Sequence, residues 1–173
     1  VTDGYADITH RSVTVRFPLR GRPGESLLAW TTTPWTLTSN VAAAVGPKLT
    51  YVQVRQGDEI LYLAKGTLPM LQGNYTVLAE MPGTALDGWT YDGPFDDLPA
   101  AQQPGGVTHV TELLRNSPLN ARAAHRVILW DEVGEAEGTG IVHIAPGCGA
   151  EDFALGKQYG LPLLAPLTDE GIF

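Results

Sequence analysis

Glycine and proline recur along the whole chain, 20 and 13 of its 173 residues. No other feature narrows the fold as much. Proline breaks the interior of a helix and glycine weakens it. The segments between them are short and read as extended strands separated by turns. Val13, Val15, Phe17 and Leu19 alternate with polar residues, as in a half-buried strand. Leu27 to Thr33, Val41 to Val45, Val77 to Met81, Val127 to Trp130 and Gly140 to Ala145 are read as further strands. Tyr51 to Arg55 and Ile60 to Leu63 flank Gln56-Gly57-Asp58-Glu59, a hairpin pattern.

Helices are expected to be few. Ala150 to Tyr159 is the best, with Gly160 placed to end it and Pro162 just beyond. A short one is expected near Lys65 to Leu71, limited by Pro69. The stretch from about Asp96 to Ala124 is rich in Pro, Gly, Gln and Asn. It reads as an insertion or long surface loop with a turn of helix near Thr111 to Arg115. The expected fold is mainly β, a closed or nearly closed barrel-like structure with a few short α-helices packed outside, since closure removes sheet edges.

The composition is that of a globular domain, 43% hydrophobic and 17% charged. No apolar run reaches the roughly 20 residues of a membrane span, so no membrane partner is expected. The chain opens on Val1 and stops at Phe173 in mid-pattern, and it is read as a single domain, residues 1–173, excised from a longer protein. A monomer is the default expectation for such a piece. The lone Cys148 excludes an internal disulfide and a cysteine-based zinc site, and it fits a reducing compartment. The net charge of −8 argues against strong binding to nucleic acid by a basic face. Any nucleic-acid contact should be local or shared with other parts of a larger protein.

Two segments carry chemistry. The first is Trp30-Thr31-Thr32-Thr33-Pro34-Trp35-Thr36-Leu37, followed by Asn40. Pro34 cannot donate to a ladder and holds Thr33 extended. The strand should end there and free the threonine hydroxyls to face a cavity. Hydroxyls donate and accept, which suits a ribose and an ester. Taken alone, Thr-Thr-Thr reads equally as an ordinary strand end, since threonine is common in strands.

The second segment is Gly138 to Phe153, a strand running through a glycine-rich turn into a helix start. Asp152 lies in the first turn, where the helix dipole favours an acid whatever its function. Functionally, it could meet a cation such as an α-ammonium. His143 reads on its own as a buried core histidine. The turn could cradle phosphate, but it lacks a P-loop lysine, and Glu151 and Asp152 would repel the anion. A Cys148 nucleophile is disfavoured, since local spacing from His143 is not diagnostic of one. His10, His109 and His125 are scattered without metal-binding spacing, and Glu135 and Glu137 sit in a polar turn.

At these two motifs the chain resembles the editing domain (connective peptide 1) of the isoleucyl-tRNA synthetases, a class I family. Trp30 to Leu37 with Asn40 resembles that domain's threonine-rich motif, and Gly138 to Asp152 resembles its second motif. The outer segments Tyr5 to Leu19 and Tyr159 to Phe173 are similar more loosely. The valyl and leucyl relatives, the runner-up reading, carry an arginine where this chain has Thr33 and lack the Trp35-Thr36 pair. Thr38-Ser39 departs from the family's usual residues before Asn40, as does the 96–124 region. A non-catalytic module that binds the tRNA 3′ end is a further alternative.

The resemblance implies hydrolytic proofreading of Val-tRNA(Ile) and leaves open whether valyl-adenylate is edited as well. An isoleucine pocket gains only ~1–3 kcal/mol from one methylene, and isoleucine against valine is the standard illustration of that limit. It implies that Asp152 binds the α-ammonium and that His143 lines the side-chain pocket. Thr31, Thr32 and Thr33 would hold the terminal adenosine and ester and place water. Trp30 and Trp35 would contact substrate, Trp35 as an apolar wall, and Asn40 would support the loop or touch substrate. The implied chemistry needs no metal and no cofactor. The implied partners are the 3′ end of tRNA(Ile) with its amino acid and the rest of the synthetase, in the cytoplasm. Neither His-Ile-Gly-His nor Lys-Met-Ser-Lys-Ser occurs, so no synthetic activity is expected.

Overall fold

In the computed structural model, residues 11–103, 117–136 and 138–165 are described. Eight strands form one curled sheet among them: β1 Val13–Pro18, β2 Glu25–Thr31, β3 Ala42–Val45, β4 Thr50–Gln56, β5 Glu59–Ala64, β6 Thr76–Pro82, β7 Arg126–Leu129 and β8 Ile141–Ile144. The order is β6-β4-β5-β2-β8-β3-β7, with β1 paired to β2. The strand expectations hold in number and in place along the chain, except that β2 lies two residues earlier than expected. The Gln56–Glu59 turn does close a hairpin.

Strand β2 organises the sheet. Along one edge it pairs antiparallel with β1. It also pairs parallel with β5 through Glu25 to Leu27, and parallel with β8 at Trp30 opposite Val142. Closure is partial and is made by bridges rather than by a strand: Leu19 pairs with Tyr91, and Thr90 pairs with Arg126 at the start of β7. The segment around Thr90 thus ties β1 to β7.

Alternation along the strands divides the core. Phe17, Leu27, Ala29, Ala43, Val45, Tyr91 and Ile141 fill the concave side. Ala42, Ala44, Ile128 and Ile144 face outward against Leu155, Leu161 and Leu164. Strand β3, Ala42–Val45, is therefore buried on both faces, which explains its unbroken apolar run. A third cluster, Leu28, Val52, Val54, Leu61 and Leu63, lies under Leu68 and Leu71.

Helix α3, Ala150–Tyr159, occupies the predicted span, with Gly160 left-handed at its end (φ +63°). Lys65–Met70 is a 3-10 turn. The described parts of the 96–124 region hold two single-turn helices, α1 Pro99–Gln102 and α2 Ala121–Ala124, joined by a bond from Asn120 Nδ2 to Gln102 O of 3.0 Å. The helix turn expected at Thr111 to Arg115, Glu137, His10, His109 and the outer ends of the two loosely similar outer segments, up to residue 10 and from residue 166, lie outside the described residues.

Candidate functional site

The parallel pairing of β2 with β8 sends both chains out of the sheet on the same side. The threonine motif and the His143–Asp152 segment therefore leave next to each other. Strand β2 ends at Thr31 and not at Thr33, a correction to the sequence reading. Pro34 opens a 3-10 turn, Pro34–Ser39, with Thr33 at its N-cap position. The Thr33 N–H is turned back to Thr31 Oγ1 at 3.0 Å instead of to a neighbouring strand.

The hydroxyls form a chain. Thr31 Oγ1 lies 3.2 Å from Thr33 Oγ1, which lies 3.3 Å from Thr36 Oγ1. The Thr36 hydroxyl donates to Thr33 O at 2.7 Å, and its oxygen lies 2.9 Å from His143 Nε2. Thr31 is buried, Thr33 and Thr36 half-buried, and Thr32 exposed. Thr32 thus stands outside the chain of hydroxyls. Thr36 stands inside it although the residue reading had not singled it out. The missing signal was the 3-10 turn, in which residues three apart eclipse and Thr36 stacks on Thr33.

His143 is 7% exposed in the middle of β8, opposite Ala43. Burial pushes its ring down to about 4, so it is neutral at physiological pH. Its Nδ1 is buried without a hydrogen-bond partner among the described residues.

Asp152, in the first turn of α3, reaches back over the glycine turn. Its Oδ2 accepts from the Ala145 N–H at 2.8 Å. Burial raises its carboxyl above the ordinary range; the Ala145 N–H opposes this, and Glu151 adds to it. A half-buried carboxylate with one oxygen engaged can take a cation on the other.

Three of the sequence-picked residues are placed differently from the rest. Trp35 is 60% exposed and encloses nothing by itself. Asn40 is buried with both ends of its amide bonded: Nδ2 donates to Ala42 O at 3.0 Å, and Oδ1 accepts from Tyr91 OH at 2.7 Å. It is thereby committed to joining the turn to β3 and to the bridging segment. Trp30 is half-buried, packed against Gly138, where an added Cβ would meet its ring at 2.7 Å. His125 is a satisfied core histidine, bonded to Val41 O at 3.0 Å and to Asp96 at 2.6 Å. Cys148 is exposed in the glycine turn. Among the described residues no cluster of His, Cys, Asp and Glu is arranged to hold a metal, and no helix is long and apolar enough to cross a membrane.

Gly147 fixes the turn between His143 and Asp152. A Cβ there would lie 1.9 Å from Leu164 O, a backbone atom that cannot swing aside. Gly147→Ala should therefore destabilise the chain by about 2 kcal/mol, the usual scale of overpacking. It should also loosen Asp152 from Ala145. A urea midpoint equal to that of the parent would show that the Leu161–Leu164 segment yields freely.

The partly closed sheet, with its site at the exit of two parallel strands, is the editing-domain fold of class I aminoacyl-tRNA synthetases. The solved structure of GlLeuRS-CP1 matches it with a TM-score of 0.63 over 86% of this chain and 60% of that one, at 18% identity. The editing domain of the P. knowlesi cytosolic leucyl-tRNA synthetase matches with a TM-score of 0.59 over 86% and 62%, at 12% identity. At such identities the likeness is one of fold. Sequence goes further. Isoleucine–tRNA ligase of Thermus thermophilus is 44% identical over 174 residues, covering 97% of this chain and 15% of that enzyme. The enzyme of Methanothermobacter thermautotrophicus is 39% identical over 170 residues, covering 98% and 14%. That of Clostridium acetobutylicum is 38% identical over 173 residues, covering 100% and 15%. The chain belongs to the isoleucine–tRNA ligase family, as its editing-domain region. It spans about 15% of the length of these curated relatives. No family model matches it.

Proposed function

We propose that this domain hydrolyses valine misattached to tRNA(Ile), and valyl-adenylate as a second substrate. The observation that carries the reading is the chain of Thr31, Thr33 and Thr36 hydroxyls that ends on neutral His143, with the Asp152 carboxylate bonded at Ala145, two residues further along the same segment. The carboxylate suits an α-ammonium, the hydroxyls suit ribose, ester and water, and an uncharged ring suits the wall of an apolar side-chain pocket.

An aminoacyl ester is already activated. Positioning a water beside it and stabilising developing charge supply the catalysis, without a protein nucleophile. The reaction draws on no cofactor and no metal of this domain. With a net charge of −8, the domain would receive only the flexible tRNA 3′ end, while the remainder of a cytoplasmic synthetase holds the tRNA body.

The test is a titration with non-hydrolysable adenosine amides that mimic the esters, followed by calorimetry. The valine amide should bind and the isoleucine amide should bind at least tenfold more weakly, the lower end of what one methylene allows. Equal binding of both, or of neither, would leave the non-catalytic 3′-end module as the better reading.

A further inference from the structure

We infer that Thr36 is a positioning residue that locks the His143 ring in the neutral tautomer carrying its hydrogen on Nε2. As a statement about catalysis this rests on the hydrolytic reading above; as a statement about the ring it stands on the bonds alone.

The Thr36 hydroxyl has one hydrogen. Its oxygen sits 2.7 Å from Thr33 O. Two oxygens hold that separation only with a hydrogen between them, and a carbonyl cannot supply it. The Thr36 hydrogen is therefore committed to Thr33 O. The 2.9 Å contact between Thr36 Oγ1 and His143 Nε2 then needs its hydrogen from the ring. Nε2 is the donor, and Nδ1 keeps a bare lone pair. The alternative tautomer would leave an N–H on Nδ1, which is buried without a partner. Orphaned buried N–H groups are rarer than under-satisfied acceptors, so both ends of the ring select the same form. The low proton affinity of the buried ring agrees with this.

The consequence concerns the reaction. A general base needs an accessible lone pair within reach of the attacking water. On His143 one nitrogen is occupied by donating to Thr36, and the other is sealed from solvent. His143 therefore shapes the pocket and takes no proton. Thr36 is saturated in turn, leaving Thr31 and Thr33 as the hydroxyls of the chain that can face substrate or water.

The experiment is nitrogen-15 NMR of the histidine rings of the 173-residue chain without substrate, with His143→Gln identifying the signal among four histidines. The expected spectrum shows a protonated Nε2 and a bare Nδ1, unchanged between about pH 5 and pH 8, where an ordinary histidine titrates. Thr36→Ser keeps the hydroxyl and should keep this signature. Thr36→Val should abolish it, giving the other tautomer or a mixture. An Nδ1–H form in the parent, a ring that titrates in that window, or a Thr36→Val spectrum identical to the parent would each overturn the inference. If Thr36→Val fails to fold, the parent spectrum and its pH course still decide. No substrate enters the measurement, so the tautomer can prove wrong while the hydrolysis stands, and the reverse.

Discussion

Asp152→Asn should lower kcat/KM for the valyl ester by roughly ten- to a hundredfold without unfolding the chain. The amide keeps a carbonyl oxygen where Oδ2 accepts the Ala145 N–H, so the bond that ties α3 to the end of β8 survives. What is lost is the charge that the proposed function sets against the α-ammonium. Hydrogen bonds to charged groups contribute about 1.5–3 kcal/mol, and each 1.4 kcal/mol is a factor of ten. Asp152→Ala removes both roles and should cost stability as well as rate. A control separates the charge from the shape of the pocket: an adenosine ester analogue lacking the amino group should bind the parent and Asp152→Asn alike. Parent-like hydrolysis by Asp152→Asn would show that the carboxylate serves only the turn. The ammonium would then need another partner.

Much of the fold was legible because its signals are local. Alternation at Val13 to Leu19, the hairpin at Gln56 to Glu59, and Gly160 behind Tyr159 each specify an element through neighbours in sequence. What the sequence did not reveal is long-range. The bridges of Leu19 to Tyr91 and Thr90 to Arg126 involve single residue pairs with no period of their own. The end of β2 at Thr31 rather than Thr33 depends on a side-chain bond, Thr33 N–H to Thr31 Oγ1, that competes with the ladder.

The site follows the same division. The threonine run and the Gly138–Asp152 segment stood out because proline, glycine and tryptophan are unusual company for a strand end. Their meeting required the parallel register of Trp30 with Val142, which no local pattern encodes. Asn40 could be placed near the motif, but not assigned to Tyr91, 51 residues away. Thr36 looked like one more threonine until the 3-10 turn aimed it at His143, 107 residues on.

Lowering the pH should weaken the fold through His143. Its ring is held down to about 4 in the folded chain against an ordinary 6.5, so between those values the unfolded chain binds a proton that the folded one refuses. Stability is fully present above about pH 6.5 and falls as pH drops toward 4. The full loss is on the order of 3 kcal/mol, at 1.36 kcal/mol per unit. His125, also held down by burial, acts in the same direction. Asp152, whose carboxyl is raised, acts in the opposite one and gains stability as pH falls. The parent slope is therefore a sum, and the difference between parent and His143→Gln isolates the one ring. Urea unfolding at neutral pH and near pH 4.5 should show the parent losing more stability than His143→Gln by about 2–3 kcal/mol. Equal losses would mean that the ring accepts a proton in place. The wall that the proposed function assigns to His143 would then become charged in weak acid, where exclusion by shape alone could not hold.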